Sequence, residues 1–172
     1  MIDGNLADWG SITPLGKDLD DVRDNLPQID WKSVWVAHDA SNFYLAHRND
    51  KNLTLNSGYL VFIDTDKTLS TGYRSTAPQF SIGAEFLIQN NNVFQYTGTG
   101  TDWSWNFVGS GTAATAGTDA ELSFPRTTIG NPNEIRVIFY GDNPATYSRP
   151  EIDLLPDDAR TGLYGYFRYG LN

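Results

Sequence analysis

Apolar and polar residues alternate in short runs along this chain, and clusters of Gly, Asn, Asp, Ser and Pro separate the runs. A period of two over four to eight residues marks a strand with one buried face, whereas a helix would repeat its apolar positions at three and four. Residues 35–38 and 43–47 flank Asp39-Ala40-Ser41-Asn42, which predicts a hairpin. Residues 59–64 predict a strand of Val, Ile and aromatics. Residues 79–89 predict one long strand, with Phe80, Ile82, Ala84, Phe86 and Ile88 on one face and Ser81, Gly83, Glu85, Leu87 and Gln89 on the other. Asn90-Asn91-Asn92 turns the chain, since Asn tolerates left-handed backbone, and 93–97 returns. Further strands are predicted at 102–108, 112–116, 119–124, 134–140 and 162–169. Helical signal is confined to a short turn over 154–160, where Pro156 precedes Asp157 and Asp158. The expectation is all-β: one antiparallel β-sandwich of about ten strands over residues 1–172, with little helix and a closed barrel as the structural alternative.

Composition narrows the function classes. The 172 residues suffice for one domain with its own core. The absence of Cys excludes disulfide scaffolds, Cys-zinc sites, iron–sulfur clusters and thiol nucleophiles. Twelve basic against 21 acidic residues give a net charge of −9, which disfavours nucleic acid and anionic membranes as partners. The longest apolar run, Tyr59-Leu60-Val61-Phe62-Ile63, falls far short of the ~20 residues of a membrane-spanning helix. Asp3 and Asp8 stand where a signal peptide would be basic and apolar, which leaves a cytosolic protein or, as the preferred expectation, a domain of a longer exported, extracellular protein; a monomer is expected.

The acidic residues cluster. One group is Asp18-Leu19-Asp20-Asp21, with Asp24 and Asp30 nearby; the other is Asp64-Thr65-Asp66, where an apolar strand runs into a loop containing Ser70-Thr71-Gly72-Tyr73. Asp caps turns without any ligand. A hard cation, however, takes six to eight oxygens at about 2.3–2.6 Å, and an Asp-x-Asp at a strand end presents two carboxylates together with backbone carbonyls. A structural calcium ion is therefore expected at Asp64 and Asp66, with Glu85 as a third ligand unless Lys67 or Arg74 neutralises it, and Asp18 and Asp20 form a second candidate loop.

Aromatic residues make up 13% of the chain and include five Trp, more than a core of this size calls for. In Asp102-Trp103-Ser104-Trp105-Asn106-Phe107, alternate residues share a face, so three large rings point together beside a Gly- and Thr-rich loop. Three rings on one face also describe a core. Aromatic planes beside hydrogen-bonding side chains suit a pyranose, whose C–H faces are apolar and whose hydroxyls need polar partners. The candidate sugar contacts are Trp103, Trp105, Trp31, Tyr73, Arg74, Asp102 and Asn106. Trp31, between Asp30 and Lys32, is expected at the surface, Trp35 in the core, and Trp9 packing the N-terminal segment.

Catalytic patterns are missing. His38 and His47 are the only histidines, and no metal-binding His pair, nucleophile elbow or phosphate loop is present. No catalytic residue is assigned. Carboxylates are plentiful, so two facing carboxylates, or a Tyr–His pair in a cleft, would indicate a small lyase or hydrolase instead.

Ile2-Asp3-Gly4-Asn5-Leu6-Ala7-Asp8-Trp9 resembles the opening of family 9-like carbohydrate-binding modules, calcium-containing sandwiches of the wider DOMON-like group. Further similar stretches follow in order: Trp35-Val36-Ala37-His38-Asp39 with Asn42-Phe43-Tyr44-Leu45, Ile63-Asp64-Thr65-Asp66 with Thr71-Gly72-Tyr73, Gly83-Ala84-Glu85, Glu121-Leu122-Ser123-Phe124-Pro125 and Asp153-Leu154-Leu155-Pro156. The resemblance implies an accessory domain of a bacterial secreted enzyme that clamps a polysaccharide or oligosaccharide between aromatics, with calcium holding loops and a catalytic module elsewhere in the parent chain. Some DOMON-like relatives bind haem through Met; here the only Met is Met1, against that branch. The rival class is a structural or adhesive spacer, which has no reason to keep an exposed aromatic patch.

Overall fold

The computed structural model describes residues 1–18, 29–143, 145, 152–156 and 163–172. Fourteen strands are described: β1 (Gly16–Lys17), β2 (Trp31–His38), β3 (Asn42–Asn49), β4 (Tyr59–Asp64), β5 (Gln79–Phe80), β6 (Phe86–Gln89), β7 (Asn92–Tyr96), β8 (Trp105–Ser110), β9 (Thr112–Ala116), β10 (Asp119–Pro125), β11 (Glu134–Gly141), β12 (Asp153–Leu155), β13 (Leu163–Tyr164) and β14 (Phe167–Gly170). Two short 3-10 turns, Leu6–Trp9 and Arg126–Ile129, are the described helical elements. One antiparallel sheet runs β1-β2-β3-β10-β9, and a second runs β12-β11-β4-β6-β7-β8, with β14 also paired to β11. A parallel pair, β13-β5, stands apart from both. The all-β sandwich expectation is met.

Between the sheets lies the main core, where Val34, Val36, Phe43, Leu45, Leu122 and Phe124 meet Tyr59, Val61, Ile63, Val137 and Phe139. Trp31 belongs to this core and is fully buried, contrary to its expected surface position. Plain alternation from Val34 and Val36 would turn Lys32 inward and Trp31 outward. The β2–β3 register shifts between Trp31 and Ser33, and the extra residue restores Trp31 to the inner face. Trp35 departs from expectation in the opposite sense: it lies half-buried on the outer face, in a small cluster with Leu6, Trp9 and Tyr44, and its indole N–H donates to the Ile12 carbonyl at 3.1 Å.

Other predicted elements differ as well, among them the strand over 162–169, which is described as β13, paired with β5, and β14, paired with β11. The single strand over 79–89 breaks into β5 and β6; Phe80, Ile82 and Ala84 pack into a second apolar cluster, while Phe86 and Ile88 enter the main core. The turn predicted over 154–160 begins instead as strand β12, and residues 157–160 lie outside the described residues.

Glu121 fastens the N-terminal segment to the first sheet. It is fully buried, and its carboxylate accepts hydrogen bonds from the Trp9 indole (2.7 Å) and from the backbone N–H groups of Gly4 (2.7 Å) and Asp3 (2.9 Å). Glu121→Gln replaces one acceptor oxygen with a donor facing these N–H groups. We expect a loss of about 2–3 kcal/mol in urea denaturation, with earlier proteolytic cleavage before Gly10.

His47 lies on the inner face of β3, against Trp31 (ring centroids 5.0 Å apart) and Tyr59 (5.1 Å, stacked). Neither ring nitrogen has a hydrogen-bond partner among the described residues. Burial pushes its pKa down to about 3, with Asp119 pulling weakly the other way. The unfolded chain takes up this proton below pH ~6.5 and the folded chain does not, so the contribution is complete above that pH and lost as pH falls toward 3. Wild-type stability should decline over this window by up to about 1.4 kcal/mol per pH unit from this group, and His47→Leu should remove that slope in parallel urea titrations.

Candidate functional site

The second sheet buries both of its faces at its central strand, β4. Every residue of β4 is buried: Tyr59, Val61 and Ile63 point into the main core, and Leu60 and Phe62 into a second cluster with Phe80, Ile82, Ala84, Leu87, Ile138 and Leu154. Strand register arranges this outer face in three rows. The first runs Arg136, Asp64, Glu85, Tyr96, Trp105; the second Ile138, Phe62, Leu87, Phe94, Phe107; the third Tyr140, Leu60, Gln89, Asn92, Ser110. Charged, apolar and polar rows thus lie side by side.

Part of the face is roofed by residues 65–85. Their close approach depends on two glycines. A Cβ at Gly83 would stand 1.8 Å from the Thr71 carbonyl oxygen, and one at Gly72, whose φ is +69°, would stand 2.5 Å from the Ala84 carbonyl carbon. Tyr73 and Ala84 then exchange two backbone hydrogen bonds of 2.8 Å, and the Arg74 N–H donates to the Gly100 carbonyl at 2.9 Å, tying the roof to the loop that carries Trp103.

Where the roof stops, a cavity of about 350 Å³ opens over Phe62. Trp103 and Tyr140 stand steeply on that ring, at 72° and 81°, with centroids 6.3 and 5.9 Å away. Tyr73 stacks on Phe62 at 5.7 Å and meets Trp103 edge-on at 5.2 Å. Ser57, Ser75, Gln89 and Asp142 supply the polar lining. Trp103 is 56% exposed, a high value for a Trp held among other rings. Burial raises the pKa of Tyr73, so its hydroxyl is a neutral donor and acceptor throughout the physiological range.

The sequence-derived sugar contacts separate on this geometry. Trp103 and Tyr73 line the cavity. Trp105 packs behind them, 5.7 Å from Trp103 and 5.5 Å from Tyr73, and borders a shallower groove with Leu87, Gln89, Phe94 and Trp103. Trp31 is excluded by its place in the core. Arg74 is exposed on the far side of the roof, with Leu69, Thr76 and Gln79. Asn106 pairs with Gln95, one step out of phase with Trp105 and Phe107, so it points to the opposite face of the sheet. Asp102 is exposed, and its carboxylate accepts from the Thr99 hydroxyl at 2.8 Å. Strand β8 begins at Trp105 and not at Asp102, because Thr99–Asp102 forms a turn closed by a 3.1 Å backbone hydrogen bond. Phe62, Tyr140, Gln89 and Asp142 were missed. Their signal is the unbroken run Tyr59-Leu60-Val61-Phe62-Ile63: a sandwich strand with one solvated face would alternate, so an unbroken run means that something covers the other face.

Asp64, Asp66 and Glu85 do come together, each offering a carboxylate oxygen within 4.8 Å of the other two. Asp64 Oδ1 accepts from the Lys67 N–H (2.5 Å), Asp66 accepts from the Thr68 N–H and the Thr71 hydroxyl (2.8 Å each), and Glu85 Oε2 accepts from the Thr65 N–H (2.9 Å). Buried Asp64 Oδ2 and Glu85 Oε1 have no hydrogen-bond partner among the described residues, although the Arg136 guanidinium stands 3.6 Å from Asp64 Oδ2. Burial raises the pKa of both Asp64 and Glu85, opposed at each by a backbone N–H. Two desolvated oxygens beside a third carboxylate fit a hard cation. Asp18 gathers with buried Asp30 and Asp153 in a second such group, while Asp20 lies outside the described residues. Asp153 also accepts a 2.5 Å bond from the Trp31 N–H, and the Lys51 ammonium stands 3.5 Å from Asp30.

A Tyr–His pair is present: His38 Nδ1 lies 3.0 Å from the Tyr169 hydroxyl. Its other nitrogen is engaged by the Asn172 carbonyl at 3.2 Å, and neither residue lines the aromatic cavity. No family model, curated protein or solved structure matches this chain.

Proposed function

We propose that this domain is a non-catalytic carbohydrate-binding module that holds a polysaccharide in the cavity over Phe62, stabilised by calcium. The observation that carries the reading is the cavity itself: five aromatic rings, Phe62, Tyr73, Phe80, Trp103 and Tyr140, converge on a space edged by hydroxyl, amide and carboxylate groups. Trp103 and Tyr140 offer faces to the C–H side of a sugar ring, and Ser57, Ser75, Gln89 and Asp142 offer donors and acceptors to its hydroxyls. A spacer domain has no use for such a recess. Among the described residues Asp142 is the carboxylate of the lining. The ordered similarity to family 9-like modules points the same way, toward an extracellular domain working beside a catalytic module. Trp103→Ala should weaken glycan retardation in affinity electrophoresis by about tenfold or more while leaving the melting temperature near wild type. Retention of no glycan by the wild type, or equal retention by Trp103→Ala, refutes the reading.

Calcium enters through Asp64, Asp66 and Glu85, with Asp18, Asp30 and Asp153 as the second group. The ion would neutralise desolvated carboxylates and hold residues 65–75, the segment carrying Tyr73 and Ser75, against β6. Without metal, the raised pKa values of Asp64 and Glu85 mean that these groups favour the folded state below their unfolded values and lose that contribution as pH rises through their folded values. A bound cation reverses this trend. The melting temperature should therefore rise with calcium over chelator at neutral pH, corresponding to about 2.7 kcal/mol at a hundredfold excess over Kd. The increment should shrink as acid protonates the carboxyls and should fall in Glu85→Gln; superimposable calcium and chelator curves exclude the ion.

A further inference from the structure

The cavity over Phe62 does not end at Trp103. On the other side of that indole lies the shallower groove lined by Leu87, Gln89, Phe94 and Trp105, and Gln89 and Trp103 border both depressions. Beyond it the apolar row continues to the edge of the sheet, where Phe94 and Phe107 meet edge-on with centroids 5.9 Å apart. Phe107 is 61% exposed, an orientation that leaves a large apolar face in water with no covering residue among those described. One side of this strip is the row Gln89, Asn92, Ser110, and the other is Trp103 and Trp105. From β4 to β8 the strip crosses three interstrand steps, or about 14 Å, longer than a single sugar ring.

Charge narrows the occupant. Leu87, Gln89, Asn92, Phe94, Trp105, Phe107 and Ser110 include no ionisable group, although the domain as a whole carries −9. A polymer bearing uronate, sulfate or phosphate would find no cation among these residues and would meet an acidic protein. A neutral chain of pyranoses presents what the strip can take: flat C–H faces for the rings, and hydroxyls for the amides along one edge. Gln89 and Ser110 already show that edge engaging oxygens, with the Gln89 amide donating to the Ser57 carbonyl at 2.9 Å and the Ser110 hydroxyl to Asn92 Oδ1 at 2.7 Å.

We propose that the cavity is one end of a longer cleft, in which a neutral linear polysaccharide lies across β6, β7 and β8 with its next units stacked over Phe94 and Phe107. This inference rests on the carbohydrate reading of the cavity and extends it from one recess to a row of subsites, with Phe107 as the anchor farthest from Phe62. Because Phe107 sits on an exposed edge strand, its truncation leaves the core intact.

The test is calorimetric titration of cello-, xylo-, manno- and laminari-oligosaccharides, each from monosaccharide to hexamer, into wild type, Trp103→Ala and Phe107→Ala. In the series that binds, wild-type affinity should climb with each added unit through the first few and then level off. Phe107→Ala should leave the shortest binding ligand unaffected and lower affinity for the longest by about tenfold, whereas Trp103→Ala should weaken every length. An affinity independent of length, or a Phe107→Ala profile identical to wild type, confines recognition to the cavity: the extended cleft is then refuted while the carbohydrate reading stands. Absence of binding in all four series removes both.

Discussion

Burial of β4 on both faces is the constraint from which the rest of this structure follows. A strand reading Tyr-Leu-Val-Phe-Ile has no solvent side. Its odd-numbered residues are covered by the first sheet, so Leu60 and Phe62 require a second apolar layer, each contributing roughly 1.5–3 kcal/mol when removed from water. Residues 65–85 supply much of that layer, folded back over the strand they have just left. The aromatic cavity is the place where this roof is incomplete, and its floor is a core residue. Such a site is preorganised, because Phe62 is held by its own strand and by Ile138 and Leu87 on either side.

Acidic and aromatic chemistry meet in one short segment. Asp64, Asp66 and Glu85 gather where the roof begins, and Tyr73 closes one wall of the cavity a few residues later. Gly72 and Gly83 press the two together, and a Cβ at Gly72 would come within 2.6 Å of Glu85 Oε1. The carboxylates and the backbone that positions Tyr73 are therefore direct neighbours.

Much of this was legible in the sequence because period-two alternation and Asn- and Gly-rich turns are local signals. The strands over 35–38, 43–47, 59–64, 93–97, 112–116, 119–124 and 134–140, the turn at Asn90 with its φ of +60°, and the pairing of Asp64 with Asp66 are of that kind. What escaped depends on a slip of register or on distant chain. Trp31 is buried because of one inserted residue in β2, and nothing in Asp30-Trp31-Lys32 announces a bulge. Trp35 faces outward because the turn Leu6–Trp9 folds across the first sheet to cover it. Phe80 and Phe86 look alike along an alternating run, yet they enter different cores because the strand breaks between them. Asp18 finds Asp30 and Asp153, the latter supplied from the far end of the chain.

The buried carboxylate of Glu121 has a consequence for the order in which the molecule assembles. Its partners, Asp3, Gly4 and Trp9, are more than a hundred positions earlier in the chain. On a ribosome these residues emerge before β10 and stay undocked until β10 has been synthesised and paired with β3. The outer surface of the first sheet, with Trp35 and Tyr44, is left open for the same interval. Closing so long a loop is slow compared with forming the hairpins β2–β3 and β6–β7. The N-terminal turn is thus the latch that closes after the sandwich has formed.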